Sequence, residues 1–324
     1  MPPLHALRRP YTDDAVRAAE SAMVRAEMSA AYYAIVNRAA GGGRCAKLAP
    51  GVLEALAGRG VALETEFTER PKHATELARH AVAEGHRRFL SVGGDGTAAE
   101  IVNGLLASGV GHECNLAMLP LGTGNSFLRD FDITDTETAA EAIVRDDSAP
   151  IDVLRLTHEE GAIHFINTMG TGFVARAGEL TNDRFKILGA AGYIAAVLVC
   201  VARLQYEHNA LRYGGTIDEA TTVLTSFSNS QYTGGTMRMA PDAQVADGLL
   251  DVIRAGRLGR VALTAAFTRI FAGTHTDLET VWTRQVDRVE FVNPSLQPVL
   301  IDGDLYHLTP LSIDVLPGAL RFVA

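Results

Sequence analysis

The sequence predicts an α/β domain with a parallel sheet, followed by a second domain that is rich in strands and mostly antiparallel. Three observations carry this reading. Strand and helix patterns alternate from Ala31 to Arg145, as in a parallel sheet covered on both faces by helices. Turns rich in glycine, threonine or asparagine follow four of the strands, at Asn37, Thr68, Gly93 and Gly122. Beyond Pro150 short apolar runs take over, separated by turn signals such as Tyr213-Gly-Gly-Thr216 and Val292-Asn-Pro-Ser295, which is the texture of antiparallel strands.

Taken in order, residues 1–30 read as an extension, with a helix expected from Asp13 to Met28 capped by Thr12. Ala31 to Val36 is the first strand and runs into the turn Asn37-Arg-Ala-Ala-Gly-Gly-Gly-Arg44. A helix is expected over Val52 to Ala57, a strand over Leu63 to Phe67, and a helix over His73 to Glu84, where Leu77, Ala78, Ala81 and Val82 recur at helical spacing. Phe89, Leu90 and Val92 supply the apolar run of a strand buried on both faces. A glycine loop and a helix from Ala98 to Leu106 follow it. Leu116 to Leu119 is a short strand ending in Pro120-Leu-Gly-Thr-Gly-Asn-Ser-Phe127, and Thr138 to Arg145 is a helix. The second domain starts near Pro150, giving segments of 1–30, 31–149 and 150–324. Its strands are expected at Ile151–Leu156, His164–Asn167, Thr222–Ser228, Leu249–Arg254, Val286–Val292, Pro298–Ile301 and Leu311–Val315, with helices over 186–204 and 259–272.

Composition narrows the function classes. A chain of 324 residues, 47% hydrophobic and 21% charged, can build a core without covalent staples. Cys45, Cys114 and Cys200 are an odd number at no metal-ligand spacing, which argues against a disulfide framework and fits a reducing, cytoplasmic setting. Net charge is −9 with no block of like charge, so nucleic acid is not an expected partner. No apolar run stands behind Arg8 and Arg9, so no signal peptide is expected. The uncharged run Ile187–Ala202, flanked by Arg184, Lys186 and Arg203, is too short to span a bilayer and reads as a buried or interfacial helix.

The stretch Gly93-Gly-Asp-Gly-Thr97 carries the chemistry. Its glycines clear side chains from the backbone, and the helix that follows turns its free N–H groups and positive dipole end towards an anion. A ligand-free turn has no use for an acid there. Asp95 beside bound phosphates makes sense when Mg²⁺ sits between them. Because ligands of such sheets bind outside the carboxyl ends of the strands, the four turns predict one shared nucleotide site. No Walker sequence occurs, and the only lysines are Lys47, Lys72 and Lys186, so this is not a P-loop enzyme. Gly170-Thr-Gly-Phe-Val-Ala175 matches the dinucleotide pattern only loosely and lacks a βαβ unit around it. Asp247-Gly-Leu-Leu-Asp251 and Asp302-Gly-Asp304 read either as Asp-Gly turns or as metal ligands and a general base.

These residues resemble a known family. Gly93-Gly-Asp-Gly-Thr97, Glu100, Asn103-Gly104, Pro120-Leu-Gly-Thr-Gly-Asn125 with Phe127 and Arg129, Phe165-Ile-Asn167, Gly170, Gly172, Leu188-Gly189, Tyr193, Gly234-Gly235, Pro241, Asp247-Gly-Leu-Leu-Asp251 and Asp302-Gly-Asp304 look like the diacylglycerol kinase catalytic-domain family. The likeness is to its bacterial lipid kinases, relatives of sphingosine and ceramide kinases, and it covers residues 31–324. It implies a nucleotide domain, a β-sandwich-like lipid domain, an active site in the cleft between them, and a last strand that returns to the first domain. It further implies a lipid kinase that uses ATP and Mg²⁺, rests peripherally on a membrane holding its lipid substrate, and is compatible with a homodimer. By carry-over Asn37, Thr68, Gly93, Gly94, Asp95, Gly96, Thr97, Glu100, Gly122, Thr123 and Asn125 would serve the nucleotide. Asp247, with the backbone carbonyls of Gln244 and Leu249, would hold a structural Mg²⁺, and Asp304 would be the base beside the metal-positioning Asp95.

Three departures stand out. The family's base is a glutamate, and Asp304 is one methylene shorter. The usual Asn-Pro-x-Ser-Gly opening is reduced to Asn37-Arg-Ala-Ala-Gly41, and Ser126 stands where an aspartate is common. The rival readings are an NAD kinase, which shares the first glycine motif, and a non-catalytic nucleotide- or lipid-binding protein.

Overall fold

The computed structural model describes residues 31–180 and 199–324. The expected helix over 13–28 lies outside the described residues, as does most of the uncharged run from Ile187.

The apolar run Tyr-Tyr-Ala-Ile-Val forms β1 (Tyr32–Val36), buried along its whole length. It sits between β2 (Leu63–Phe67) and β3 (Arg88–Gly93), and β4 (Asn115–Pro120) follows, all four parallel in the order β2-β1-β3-β4. The helices α1 (Arg44–Gly58), α2 (His73–Glu84), α3 (Asp95–Ala107) and α4 (Thr136–Arg145) pack as two pairs, α1 with α4 and α2 with α3. Right-handed crossovers place such pairs on opposite faces of the sheet. Gly104 is what lets α3 lie so close to α2: a Cβ there would stand 2.6 Å from the Thr75 carbonyl oxygen. The helix expected from Thr138 starts two residues earlier because Asp135 caps it, taking the Glu137 and Thr138 N–H groups at 3.0 and 2.9 Å.

The second half is antiparallel, as expected, but richer in strands. After β5 (Ser148–His158) and β6 (Gly161–Phe165) come β7 (Thr168–Gly172) and the short α5 (Phe173–Leu180). The hairpin β8 (Glu207–Tyr213) and β9 (Thr216–Thr222) turns at Gly214-Gly215, both in the left-handed region. Then follow β10 (Leu224–Ser228), the ribbon β11 (Tyr232–Thr233) and β12 (Met237–Arg238), and β13 (Leu250–Ala255). After α6 (Arg260–Ile270) come β14 (Val281–Val286), β15 (Arg288–Val292), β16 (Gln297–Ile301), β17 (Asp304–Leu308) and β18 (Pro310–Val323). The single strand expected over Val286–Val292 is therefore two, because the chain crosses at Asp287 from one sheet to the other. The stretch Gly170–Gly172 belongs to β7, an inner strand between β10 and β16, and not to a dinucleotide turn.

Among the described residues, β14-β13-β10-β7-β16-β17 make one six-stranded sheet. It packs face to face on the antiparallel half of the large sheet, made by β5, β6, β18, β15, β8 and β9, over a core that includes Leu154, Phe165, Met169, Leu211, Phe227, Val252, Val299 and Ile313. The parallel and antiparallel halves of the large sheet are continuous through β18. Its Arg321 and Phe322 pair with Asn115 and Leu116 of β4, and the rest of the strand pairs with β5 and β15. Phe322 and Val323 sit in the core of the α/β half. No helix among the described residues is long and apolar enough to cross a membrane.

Candidate active site

Because β1 to β4 are parallel, the turns at Asn37, Thr68, Gly93 and Gly122 all open at the same end of the sheet. Strand order reverses between β1 and β3, the place where such sheets form a ligand crevice. The turn after β1 is stitched to the turn after β3. Asn37 donates its backbone N–H to the Val92 carbonyl at 2.9 Å and its side-chain amide to Thr97 Oγ1 at 3.0 Å.

The loops after β3 and β4 touch through bare backbone. Gly122 N–H donates to the Gly93 carbonyl at 2.6 Å, and a Cβ on Gly122 would collide with the Gly94 Cα. A side chain at Gly122 would push the loops apart, and one at Gly94 would press on the Gly122 Cα at 3.1 Å. Asp95 fixes the second loop from the first: its carboxylate accepts the Ser126 N–H at 2.7 Å and the Phe127 N–H at 3.4 Å. Burial raises its pKa, against the downward pull of those two N–H groups. Asn125 takes the left-handed conformation at the loop's far side and donates its amide to the Gly122 carbonyl at 3.1 Å. Its buried Oδ1 has no partner among the described residues. Thr123 and Thr68 flank the same opening, Thr68 donating its N–H to the Val36 carbonyl at 3.0 Å.

The opposite wall comes from the turn between β16 and β17. Asp302 and Asp304 differ sharply there. Asp302 is buried, and its carboxylate accepts the N–H groups of Ile166, Asn167 and Thr168 at 3.1, 3.1 and 2.9 Å. Burial, with a smaller contribution from the Asp95 charge, pushes it up to about 7. Asp304 stays open to solvent and overhangs the glycine loop, its Oδ2 3.8 Å from where a Gly96 Cβ would stand. The protein walls around it raise its pKa, and the nearby Lys72 charge draws it partly back. Tyr306, two residues along β17, is pushed up to about 12 by burial and by Asp304, Asp302 and Glu100. Asp304 of the second half and Asp95 of the first therefore lie on either side of Gly96.

Glu100 has a different occupation from a ligand contact. Its two carboxylate oxygens accept the Lys72 N–H at 2.9 Å and the Ala74 N–H at 3.1 Å, closing the open N-terminus of α2.

The Gln244–Leu249 loop lies on the second domain. Asp247 is exposed, and its Oδ1 accepts the Leu249 N–H at 2.9 Å. Among the described residues no three carboxylate, imidazole or thiolate groups converge on a metal position. One carboxylate with two carbonyls is nevertheless a hard oxygen donor set of the kind Mg²⁺ takes. Asp242 and Asp247 both push the Asp251 carboxyl up, added to its burial, and a cation at Asp247 would relieve that crowding. The glycine-loop side fits a phosphate-bound cation equally: Asp95 and the orphaned Asn125 Oδ1 are hard oxygens at the edge of a backbone cradle.

Several organising residues escaped sequence reading. Buried Asp152 accepts the Gly248 N–H at 2.7 Å and the Gly318 N–H at 2.8 Å, and donates its own N–H to the Val245 carbonyl. It thus ties the metal-candidate loop to the bend of β18. Ser126 accepts the Gly235 N–H at 2.8 Å, joining the β4 loop to the second domain. Asn103 pairs with the His164 backbone like a rung of a sheet, accepting its N–H at 2.8 Å and donating to its carbonyl at 2.7 Å. Asp152 sits in a run that reads only as strand, and nothing local marks it. Asn103 stands in the motif itself and Ser126 at one of its departures, so the sequence marks both positions without showing what they bond.

A backbone anion cradle at a helix N-terminus, faced across a crevice by a solvent-open acid, defines a phosphotransferase of the two-domain α/β and sandwich type. Comparison with known proteins agrees. Residues 31–156 match the family described as diacylglycerol kinase catalytic domain, and residues 167–324 match the YegS C-terminal NAD kinase beta sandwich-like domain. A diacylglycerol kinase of Mycobacterium tuberculosis is 31% identical over 296 residues, 89% of this chain and 93% of that protein. A probable lipid kinase, YegS-like, of Shewanella frigidimarina is 26% identical, covering 83% of this chain and 86% of the relative. A crystal structure of a diacylglycerol kinase from Bacillus anthracis superposes with a TM-score of 0.68 at 22% identity, over 91% of this chain and 96% of that one. The chain belongs to the diacylglycerol kinase family, and it is a kinase.

Proposed function

We propose that this kinase transfers the γ-phosphate of ATP to the hydroxyl of a membrane lipid of the diacylglycerol or ceramide class. The observation that carries the reading is the place of Asp304: an acid from the second domain stands over Gly96, at the mouth of the phosphate cradle. A hydroxyl between them would meet a base on one side and the transferred phosphoryl group on the other.

In this reading the N–H groups of Gly94, Asp95 and Gly96 at the start of α3, with that of Thr123, hold the triphosphate. Asp95 locks the two loops together through Ser126 and Phe127, so the cradle is rigid before substrate arrives. The lipid oxygen bonds to the γ-phosphorus as the bond to the bridging oxygen breaks, and ADP leaves. Asp304 takes the hydroxyl proton; its raised pKa makes it a stronger base than a free carboxylate. Lys72 keeps that carboxylate from being protonated too readily. Mg²⁺ held by Asp95 and Asn125 would neutralise charge gathering on the phosphates.

The test is incubation with γ-labelled ATP and Mg²⁺ against diacylglycerol, ceramide, a sphingoid base, phosphatidylglycerol and NAD. Labelled lipid is the expected product. Labelled NADP would replace this reading with an NAD kinase, the enzyme after which the C-terminal sandwich-like domain family is named. No labelled product would leave a binding protein.

A further inference from the structure

We infer that the outer face of α6, with Tyr206 and Trp282 beside it, is the surface by which this protein lies on an anionic phospholipid bilayer. The inference rests on the lipid-kinase reading for its purpose and on exposed side chains for its location.

Between Asp251 and Asp277 there is no carboxylate, in a chain whose net charge is −9. The stretch contains four arginines. Arg254 is buried and bonded to Asp218 and Asn209, whereas Arg257, Arg260 and Arg269 are exposed. One side of α6 buries Leu263, Ala266 and Ile270 against the second domain. A surface helix normally turns polar residues outward. Here the outward side carries Val261, 86% exposed, and Ala262 and Ala265, with Phe271, 51% exposed, just past the end. Val261 and Phe271 stand about 80° apart around the helix, so both face the same half-space.

The remaining polar atoms of that side are already satisfied. Thr264 Oγ1 donates to the Arg260 carbonyl at 2.9 Å, and Thr268 Oγ1 donates to the Ala265 carbonyl at 2.8 Å. Hydroxyls folded back on their own helix need no water when the face leaves it. At the N-terminal end Tyr206, 38% exposed, donates its hydroxyl to the Leu258 carbonyl at 2.9 Å and holds Arg257 over its ring. Trp282, 48% exposed, lies against Gly256, where a Cβ would press on the indole at 2.7 Å. Apolar side chains, amphipathic aromatics and arginines without acids are the composition of an interfacial helix. Eleven residues, roughly 16 Å, lie in the interface and do not cross it. The Phe271 end is also joined to the site. Gly273 packs on Arg238 and Pro241, Arg238 donates to Gln231, and Gly235 of the same segment reaches Ser126 beside Asp95.

The experiment is co-sedimentation with vesicles of phosphatidylcholine alone or mixed equally with phosphatidylglycerol, run on the full chain and its variants. The parent protein is expected to sediment with the mixed vesicles. The doubly substituted Val261→Asp, Phe271→Asp protein should bind them more weakly by tenfold or more, the loss expected when two apolar side chains are only partly buried. Arg257→Gln and Arg269→Gln should each cost on the order of fivefold on the mixed vesicles and little on the neutral ones. Phosphorylation of a short-chain, water-soluble acceptor should be unchanged in all of them, because none of these residues lines the crevice. Parent protein that ignores the mixed vesicles, or an aspartate variant that sediments like the parent, overturns the inference. So does a variant whose only change is a halved mass in solution, which would make the face a dimer contact. Vesicle binding that depends on these residues, in a protein that phosphorylates no acceptor, keeps the docking face and rejects the lipid-kinase reading alone.

Discussion

The two walls of the crevice are built on opposite plans. The wall at the ends of β3 and β4 is backbone: Gly93 and Gly122 have no room for a Cβ, and the start of α3 opens beside them. The wall at the start of β17 is side chains. One carboxylate is sunk among three amides, and the other stands open two residues later. The difference assigns labour. Backbone N–H groups cannot change protonation and suit a ligand that is always anionic, whereas a carboxylate can take a proton and suits an acceptor hydroxyl. It also explains why Asp302 and Asp304, close in sequence, are not interchangeable: the first holds the turn in place, and the second is free to meet substrate.

The sharpest way to break the comparison is Asp304→Asn. Kinase turnover should fall by on the order of 10²–10⁴ with the thermal melt unchanged; wild-type turnover would remove the base from the second wall. Asp304→Glu should keep activity, since the longer side chain starts from an open position. The backbone wall is tested by Gly122→Ala, whose methyl would meet the Gly94 Cα and nitrogen, atoms that cannot rotate away. A loss of about 3 kcal/mol in denaturant unfolding is expected, together with loss of nucleotide binding. Stability equal to the parent would show that the loops can part. Asn103→Ala cuts the rung between α3 and His164, which ties the two walls together, and should cost about 1–2 kcal/mol by the same measurement.

The smallest effect concerns Asp130, which accepts the Gln231 N–H at 2.9 Å behind the first wall and is pushed up to about 6 by burial. An unfolded aspartate titrates near ~3.9. The native state therefore holds this proton more tightly than the unfolded one, and its contribution to stability falls as pH rises from about 4 to about 6. Thermal melts across that window should show stability falling less, or rising more, with pH for Asp130→Asn than for the parent. An unchanged slope would mean the carboxyl is better solvated than its burial suggests.

The same contrast decides how much was legible in the sequence. Apolar runs ending in glycine turns located β1, β3 and β4 within a residue or two, because a buried parallel strand and a bare turn both leave local marks. β7 is hidden because Gly170 and Gly172 look like a loop, although Gly170 pairs with both β10 and β16, and Gly172, at φ 73, closes the strand. Val286 and Arg288 read as parts of one strand, yet they belong to different sheets, which no local pattern records. Within the site, glycines announced the cradle. What holds Asp302 is a set of amides some 135 residues away in sequence, and the cap that occupies Glu100 comes from the start of another helix. Partners supplied by tertiary structure leave no trace at the residue they serve.

The pairing of β18 with β4 bears on how the molecule is made. The rung between Arg321 and Asn115 joins residues that leave the ribosome far apart in time. Until synthesis reaches that rung, the nascent sheet carries a naked hydrogen-bonding edge at β4, and such edges invite intermolecular pairing. Contacts so distant along the chain also close slowly. The newborn first domain is thus a half-built structure waiting for its keystone, and chaperone demand in the cell should track that wait.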